Sequence, residues 1–387
     1  MTLKGYSAGF FILCAVGLLT MFSVMLVNPL LSIFAKEIGA SGVWIGLSVA
    51  GYWVSRVLLE VPSGLISSRF GYHKPMTVGL ALTVVGNALC AYATNPVQLI
   101  LARALMGMGA PLFFAVSMTF IVNLFEAEKR GSALGLFQGI EFMGTILGSA
   151  LSGYLITGFG FRGGFLLSAG LVAVALALIL IPSVRKDAGA PPKGSSIDLS
   201  SIMDVFTNRT LLIVSSATFA EFVMSTGVIY TIFPLYANEQ LGYSLTAIGL
   251  IMGARSVGFV VSMLVMGSIS DRIGRKPVLL FGLASTAVLV TALNFTTSFP
   301  AIAAVILLIG VTTGAIWIVC PVLAAEAVDS SQRGAAIGTY RTFFDLGSVL
   351  GPIMTTAIMG VYGVAACFYV SAALLVVNII PSLRIRE

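Results

Sequence analysis

Apolar stretches of about 20 residues or more recur twelve times along this chain, and most of the polar gaps between them are only a few residues long. A helix of about 20 apolar residues spans the hydrocarbon core of a bilayer. The pattern therefore predicts an all-α integral membrane protein with twelve spans. Their approximate limits are 8–34, 43–67, 76–94, 97–124, 132–157, 163–182, 210–236, 244–268, 277–297, 299–325, 335–360 and 362–381.

One polar gap is much longer than the others. Residues 183–209 collect charge, Pro, Gly and Ser, which is a composition typical of linkers. This segment separates six predicted spans from six. We therefore predict an N-terminal six-helix bundle over 1–182, a cytoplasmic linker over 183–209 and a C-terminal six-helix bundle over 210–387.

Composition excludes a soluble protein. The 387 residues are 58% hydrophobic and only 9% charged, with a mean hydropathy of +1.04, whereas about 25% of the residues of a soluble domain are charged. The net charge of +6 does not indicate nucleic-acid binding, because the basic residues lie in short loops beside apolar segments. Membrane topology accounts for them.

The distribution of basic residues also predicts the orientation. With the N-terminus in the cytoplasm, fifteen of the 21 Lys and Arg residues face inward and only Lys36 and Arg162 face outward. Positive residues favour the cytoplasmic side, so both termini and the linker are predicted to lie there. The first span is too long for a signal-peptide core. We expect a monomeric multi-pass protein of the cell membrane.

The two halves repeat each other at a constant offset of 203 residues. This offset pairs glycines and loop arginines over some 130 residues, including Gly39/Gly242, Arg69/Arg272, Gly71/Gly274, Gly107/Gly310, Arg130/Arg333, Gly144/Gly347 and Gly148/Gly351. Parallel repeats of six helices are typical of transporters whose halves rock around a site near the middle of the membrane.

Several motifs resemble those of the major facilitator superfamily of secondary transporters. GSISDRIGRKP at 267–277 is similar to the family's loop signature, and GLISSRFGYHKP at 64–75 is a degraded copy in which Ser68 replaces Asp. ARALMGMGA at 102–110 matches the arginine motif of helix 4 through Arg103, and GTILGSALSG at 144–153 is similar to the helix 5 motif of drug–proton antiporters. Helix packing alone would also explain the small residues of that last motif.

The resemblance implies a gating set at the cytoplasmic ends of the helices. In the loop signature, a carboxylate and neighbouring bases hold the inner ends of the bundles together. The gating residues predicted on this basis are Asp271, Arg272, Arg275, Arg69, Arg130 and Arg333.

Ionisable residues inside the predicted spans are candidate functional residues, since each costs roughly 2.5–3.5 kcal/mol at the bilayer centre. There are eight of them: Arg56, Glu60, Arg103, Glu141, Glu221, Arg255, Arg341 and Asp345. Two pairs, Arg56/Glu60 and Arg341/Asp345, are spaced i,i+4 and can neutralise each other on one helix. Hairpin geometry places Glu221 one turn from the level of Arg255.

Glu141 has no cation at its level, so it is the first candidate for proton coupling, followed by Glu221 and Asp345. An apolar environment favours the protonated form of a carboxyl group. The alternative is a neutral carboxyl group that serves only as a hydrogen-bonding partner between helices. Unlike the glycines, these charges are not repeated: Glu141 aligns with Phe344, and Arg255 aligns with Tyr52.

Candidate substrate-binding residues are arginines, amides and aromatic residues near the same depth. They are Arg103, Arg255, Arg341, Asn28, Tyr52, Tyr230 and Trp317. Asn28-Pro29 and Phe233-Pro234 occupy similar places in the first and seventh spans and are predicted to bend these helices.

These features predict proton-coupled efflux of amphipathic or cationic small molecules. The alternatives are an organic-anion uniporter, symporter or exchanger that uses the arginines, and a lipid or lysolipid transporter. An enzyme is not indicated, because the single histidine, His73, lies in a loop. The four cysteines occur singly in apolar runs and nothing resembles a phosphate loop, so no metal and no cofactor is expected.

Overall fold

The computed structural model describes residues 6–187, 207–329 and 332–385, and within these ranges all regular secondary structure is helical. The all-α prediction is therefore confirmed. Residues 188–206, which form most of the predicted linker, lie outside the described residues.

The first half begins with a helix that is interrupted once. Helix α1 covers Ala8–Val27, a 3₁₀ turn covers Asn28–Leu30, and α2 covers Leu31–Glu37. The remaining helices of this half are α3 (Val43–Phe70), α4 (His73–Tyr92), α5 (Pro96–Leu124), α6 (Ala127–Ile179) and α7 (Pro182–Asp187).

The second half begins with α8 (Arg209–Phe222), a π-helix over Val223–Ile232 and α9 (Phe233–Glu239). It continues with α10 (Leu245–Ile273), α11 (Arg275–Ala292), a 3₁₀ turn over Leu293–Phe295, α12 (Phe299–Glu326) and α13 (Arg333–Ser382). The helix interruption predicted at Phe233-Pro234 therefore starts ten residues earlier, at Val223, and has π rather than 3₁₀ geometry.

Nine helices in the described ranges are long and apolar enough to cross a membrane. Two of them, α6 and α13, contain 53 and 50 residues and each holds two predicted spans. A positive φ at Gly160 (69°) and at Gly363 (80°) divides them, because only glycine adopts this backbone conformation readily. Together with the 28-residue α3, the described helices account for all twelve predicted spans.

The repeat seen in the sequence extends to the backbone. Gly160 and Gly363 are 203 residues apart and share the left-handed conformation, as do the pairs Gly39/Gly242 and Gly71/Gly274. Side chains cap several helix starts in both halves: Ser7, Asn95, Asn208 and Ser244 each accept a hydrogen bond from the backbone N–H three residues later. Such caps satisfy otherwise unpaired helix N–H groups.

The chain forms two compact units. One comprises Met1–Asn28 and Gly51–Ser196, and the other comprises Pro29–Ala50 and Ile197–Glu387. The second unit therefore includes the C-terminal end of the first span and the start of the second. The predicted domain limits, 1–182 and 210–387, keep each half continuous in sequence. They stay a prediction.

Glycines allow the closest helix contacts within each unit. In the first unit a Cβ at Gly107 of α5 would overlap the carbonyl oxygen of Tyr52 on α3, and in the second a Cβ at Gly310 of α12 would overlap that of Arg255 on α10. Small residues let helix backbones approach closely in membranes. Gly107 and Gly310, which are paired at the 203-residue offset, thus make equivalent interhelical contacts.

We expect Gly107→Ala to destabilise the protein by about 1–3 kcal/mol, because the added methyl group must push α5 away from α3. The measurement is unfolding in detergent micelles monitored by circular dichroism. Gly139→Ala is the matched control, since nothing lies within 4 Å of a Cβ at that helical position. Equal effects of the two substitutions would contradict a packing role for Gly107.

Candidate functional site

A buried polar cluster in the second unit joins the helix that begins at Arg209 to α10. It consists of Glu221, Ser225, Tyr230 and Arg255, and is called here the Arg255 cluster. Arg255 donates through Nη1 to the Tyr230 hydroxyl (3.0 Å) and through Nη2 to Ser225 Oγ (2.6 Å). Glu221 lies four residues before Ser225 on the same membrane-spanning segment.

Three members of the Arg255 cluster are buried, and the fourth, Tyr230, is partly exposed. Glu221 is 4% exposed and Arg255 is 6% exposed. The guanidinium carbon lies 5.0 Å from the centre of the Tyr230 ring, within the range of a cation–π contact. The structure thus brings together three of the predicted site residues, Glu221, Tyr230 and Arg255. Sequence reasoning missed the fourth, Ser225.

Four aromatic rings of the same unit pack together, and one of them, Phe222, follows Glu221 in the sequence. We call this set the aromatic group; it contains Phe222, Phe259, Trp317 and Phe344. The Trp317 ring lies 5.8 Å from Phe222, 5.7 Å from Phe344 and 6.1 Å from Phe259, measured between ring centres. Phe344 is buried and the other three are partly exposed, so the group presents an accessible aromatic surface.

Two further predicted residues lie on α13. Asp345 is buried, whereas Arg341, one turn before it, is partly exposed. Tyr340, which precedes Arg341, is also buried and lies close to Glu221.

Glu141 of α6 is the buried acid of the first unit. It is 6% exposed, and its Oε1 has no hydrogen-bond partner among the described residues. A Cβ on Gly17 of α1 would lie 3.0 Å from Glu141 Cγ, and Cys14 is within electrostatic range. No described cation forms an ion pair with Glu141. The acid is therefore enclosed between α1 and α6 by small and apolar groups.

Arg103 of α5 is the buried base of the first unit. It is 1% exposed, its guanidinium lies 5.1 Å from the Tyr52 ring centre, and its Nη1 contacts Met106 Sδ at 3.7 Å. In the described part of the chain no carboxylate forms an ion pair with it, and its Nε has no hydrogen bond. A cavity of about 10 Å³, lined by Tyr52, Met106 and Thr20 among others, adjoins this pair and is large enough for about one water molecule.

Asn28 occupies the 3₁₀ turn after α1. Its side-chain oxygen is buried and has no hydrogen-bond partner within the described ranges. A buried, unsatisfied amide oxygen costs free energy, so Asn28 is available to bind a donor.

The predicted gating residues differ in their contacts. Arg275 lies 2.6 Å from Glu326 and 3.9 Å from Asp271. These two contacts connect the start of α11 to the ends of α12 and α10. Arg130 donates to the backbone carbonyl of Phe125 (3.0 Å). Arg69 stacks on Phe70 at 5.5 Å. Arg272 and Arg333 lie at helix ends, in the last turn of α10 and at the first residue of α13.

Two ion pairs were missed by sequence reasoning. Glu326 binds Arg275, and Lys36 binds Glu239 at 2.6 Å. Lys36 and Glu239 are 203 residues apart, so they occupy equivalent positions of the repeat, and their opposite charges were the signal that could have revealed the second pair.

The family model of the Major Facilitator Superfamily matches residues 13–244 and 218–387 of the chain. The chain therefore belongs to the major facilitator superfamily. It is a transporter of small molecules rather than an enzyme, and a multi-pass membrane protein.

Two relatives with known names agree with this assignment. The chain is 26% identical over 362 residues to the multi-drug resistance efflux pump PmrA of Streptococcus pneumoniae, covering 92% of this chain and 90% of PmrA. It is 24% identical over 368 residues to the multidrug resistance protein MdtG of Proteus mirabilis, with 92% and 90% covered.

Two solved structures share the fold. A bacterial homologue of the human lysosomal transporter Spinster, inward-facing and occupied, gives a TM-score of 0.80 at 13% identity, with 97% of this chain and 95% of that chain covered. A D-xylose–proton symporter gives 0.79 at 17% identity, with 98% and 97% covered.

A double-mutant cycle tests the contact between Arg255 and Tyr230. We expect Arg255→Met to cost about 1.5–3 kcal/mol of stability, because both hydroxyl groups lose a charged donor. Adding Tyr230→Phe should then cost less than it does in the wild type, with a coupling energy of about 0.5–3 kcal/mol. Unfolding in detergent measures all four proteins.

The control cycle replaces Tyr230→Phe with Tyr236→Phe. Tyr236 lies on the same membrane-spanning segment but packs against Phe368, so its effect should add to that of Arg255→Met within about 0.5 kcal/mol. Additivity in the Tyr230 cycle would show that this hydrogen bond contributes nothing to stability.

Proposed function

We propose that this chain exports amphipathic or cationic small molecules in exchange for protons, by alternating access. The observation that carries the proposal is Glu141, a buried carboxyl group that has an unpartnered oxygen and no described cation to neutralise it. A carboxylate in such a place is unfavourable unless it binds a proton or a cation. The two ligands exclude each other, which is the requirement for exchange.

The relatives support the direction of transport in this proposal. PmrA is named a multi-drug resistance efflux pump, and MdtG a multidrug resistance protein. Each match covers about nine-tenths of the relative and of this chain. The similarity therefore extends over the whole transporter rather than over one motif.

The driving force is adequate for such an exchange. One pH unit supplies about 1.4 kcal/mol per proton, and 100 mV supplies about 2.3 kcal/mol per charge. The sum of about 3.7 kcal/mol sustains an approximately 500-fold substrate gradient for a neutral substrate and one proton.

The packing around Glu141 supports proton exchange at this position. Gly17 lies directly opposite the side chain, so the two helices approach closely and leave little room for water beside the carboxyl group. A movement of α1 relative to α6 would change the access of Glu141 to solvent. We propose that this change in access couples protonation to transport.

The aromatic group and the other acids support the substrate class. Aromatic faces attract organic cations, and three of the four rings are partly exposed. Glu221 and Asp345 lie on the same segments as Phe222 and Phe344, respectively. We propose that Trp317 and its neighbours contact the apolar part of the substrate and that a carboxylate attracts its charge.

Topology and assembly are part of the same proposal. Because of the bias of basic residues, we place both termini on the cytoplasmic side of the cell membrane. We take the working unit to be a monomer. The pair Arg275–Glu326 then lies on the cytoplasmic side, where Arg272, Asp271 and the loop arginines of the first half would act as gates. The pair Lys36–Glu239 lies on the outer side.

A second candidate function rests on Arg103. This arginine is completely buried, and no described carboxylate forms an ion pair with it. An organic anion would neutralise it, as in a uniporter or exchanger of organic anions. The charges of Arg103 and Glu141 favour substrates of opposite sign, so one experiment separates the two functions.

The test measures internal pH in proteoliposomes while lipophilic cations, organic anions or lysolipids are added. We expect lipophilic cations to evoke proton movement in the wild type. Glu141→Gln should lower this movement at least tenfold, because the amide does not exchange a proton. Protein-free vesicles control for leakage.

Glu60→Gln is the matched control variant. Glu60 is also intramembrane, but it lies 3.6 Å from Arg56 on its own helix, and we expect its replacement to leave coupling within about twofold. Cation flux without proton movement would overturn the proposal. Anion flux that is lost in Arg103→Gln but kept in Glu141→Gln would establish the second candidate instead.

A further inference from the structure

The π-helix of the second unit lies at the Arg255 cluster. It covers Val223–Ile232 and carries both hydroxyl groups that hold Arg255. Two contacts confirm its wide register: Phe233 N–H bonds to the carbonyl of Val228, and Thr231 Oγ1 bonds to the carbonyl of Thr226, each five residues earlier. π-helical segments are rare and occur frequently at functional sites.

This geometry determines which side chains share a face. Ser225 and Tyr230 are five residues apart, and in an α-helix such residues are separated by about 140° around the axis. In a π-helix, residues five apart are hydrogen-bonded neighbours on successive turns. The π-helix therefore aligns Ser225 with Tyr230, and both side chains reach Arg255.

The same segment of the first half has neither the π-helix nor the polar residues. Positions 203 residues earlier belong to α1, which is α-helical to Val27 and then forms a 3₁₀ turn. The counterparts of Glu221, Ser225, Tyr230 and Arg255 are Leu18, Phe22, Val27 and Tyr52. The scaffold does not need the π geometry, since one half lacks it, so its role belongs to the Arg255 cluster.

Within the described residues, Arg255 and Glu221 form no direct ion pair. Both terminal nitrogens of the guanidinium instead donate to hydroxyl groups, and one of these groups belongs to Ser225, four residues after Glu221. The other titratable groups close to Glu221 are Cys320 of α12 and Tyr340 of α13, and Arg341 follows Tyr340 on the same helix.

We propose that Ser225 and Tyr230 are positioning residues that hold Arg255 away from Glu221, so that Glu221 exchanges a proton instead of remaining in a permanent ion pair. The inference rests on the proposed proton coupling and assigns it a second acid. In the step itself, neutral Glu221 releases one proton and becomes a carboxylate, while Arg255 keeps its charge throughout.

The π-helix makes this arrangement reversible. If the segment returns to α-helical geometry, Tyr230 turns away from Arg255 and the freed guanidinium nitrogen finds Glu221 as its nearest strong acceptor. The resulting ion pair favours the carboxylate. A change of helix register in this one segment would therefore decide whether Glu221 binds a proton or Arg255.

The test is an infrared pH titration of the carboxylic acid band of the purified full-length protein in lipid nanodiscs, without substrate. The part of the band that is lost in Glu221→Gln belongs to Glu221. In Tyr230→Phe the guanidinium loses one of its two acceptors, and we expect this part of the band to titrate at least about one pH unit lower than in the wild type. Tyr236→Phe, on the same segment, should titrate like the wild type.

Deleting Val228 tests whether the alignment of Ser225 with Tyr230, rather than the π-helix as such, positions Arg255. The deletion leaves these residues four apart, and an α-helix places residues at that spacing on one face. We expect this variant to titrate like the wild type. The proposal is overturned if Tyr230→Phe titrates like the wild type or at higher pH, or if Glu221→Gln removes no titrating band.

The titration separates this inference from the proposed function, because it needs neither substrate nor transport. A shifted titration together with uncoupled transport would refute proton-coupled export and leave the positioning role intact. Coupled transport together with an unshifted titration would refute the positioning role alone.

Discussion

The high free-energy cost of unpaired charges and unpaired backbone groups in hydrocarbon governs this structure. It explains why the regular secondary structure of the described residues is helical and why side chains cap helix starts. It also explains why the intramembrane charges are few. Arg255 meets this constraint through two hydroxyl groups, and Arg103 through an aromatic ring. Glu141 does not meet it within the described residues, which is why this side chain is central to the proposed function.

The repeat separates the scaffold from the candidate site. Glycines such as Gly107 and Gly310 recur in both halves and make equivalent backbone contacts, and the positive φ values of Gly160 and Gly363 recur in the same way. The buried acids and bases occur once. A transporter built from two similar halves must differ between them wherever it binds an asymmetric substrate or a proton. In the backbone, the halves differ at the π-helix, which only the second half has within the described residues.

Sequence reasoning named three of the four residues that meet in the Arg255 cluster, and its limits have a physical cause. Hairpin arithmetic placed Glu221 one turn from the level of Arg255, and the structure brings them into one cluster. Ser225 was not among the predicted site residues, because the periodicity of an α-helix does not align residues 225 and 230. The pair Arg275–Glu326 was also missed, since residues from distant helix ends meet only when the helices are packed. The proton-coupling and substrate-binding roles stay predictions.

The sequence by itself determined the solvent, the twelve spans and the kinship with the major facilitator superfamily, because hydrophobicity, length and glycine spacing are local properties. Tertiary structure decided which buried charges have partners. That choice depends on how each helix is rotated about its axis and on how closely glycines let the backbones approach. A local change from α to π geometry turns Tyr230 towards Arg255. The pattern of apolar and polar residues does not predict that rotation.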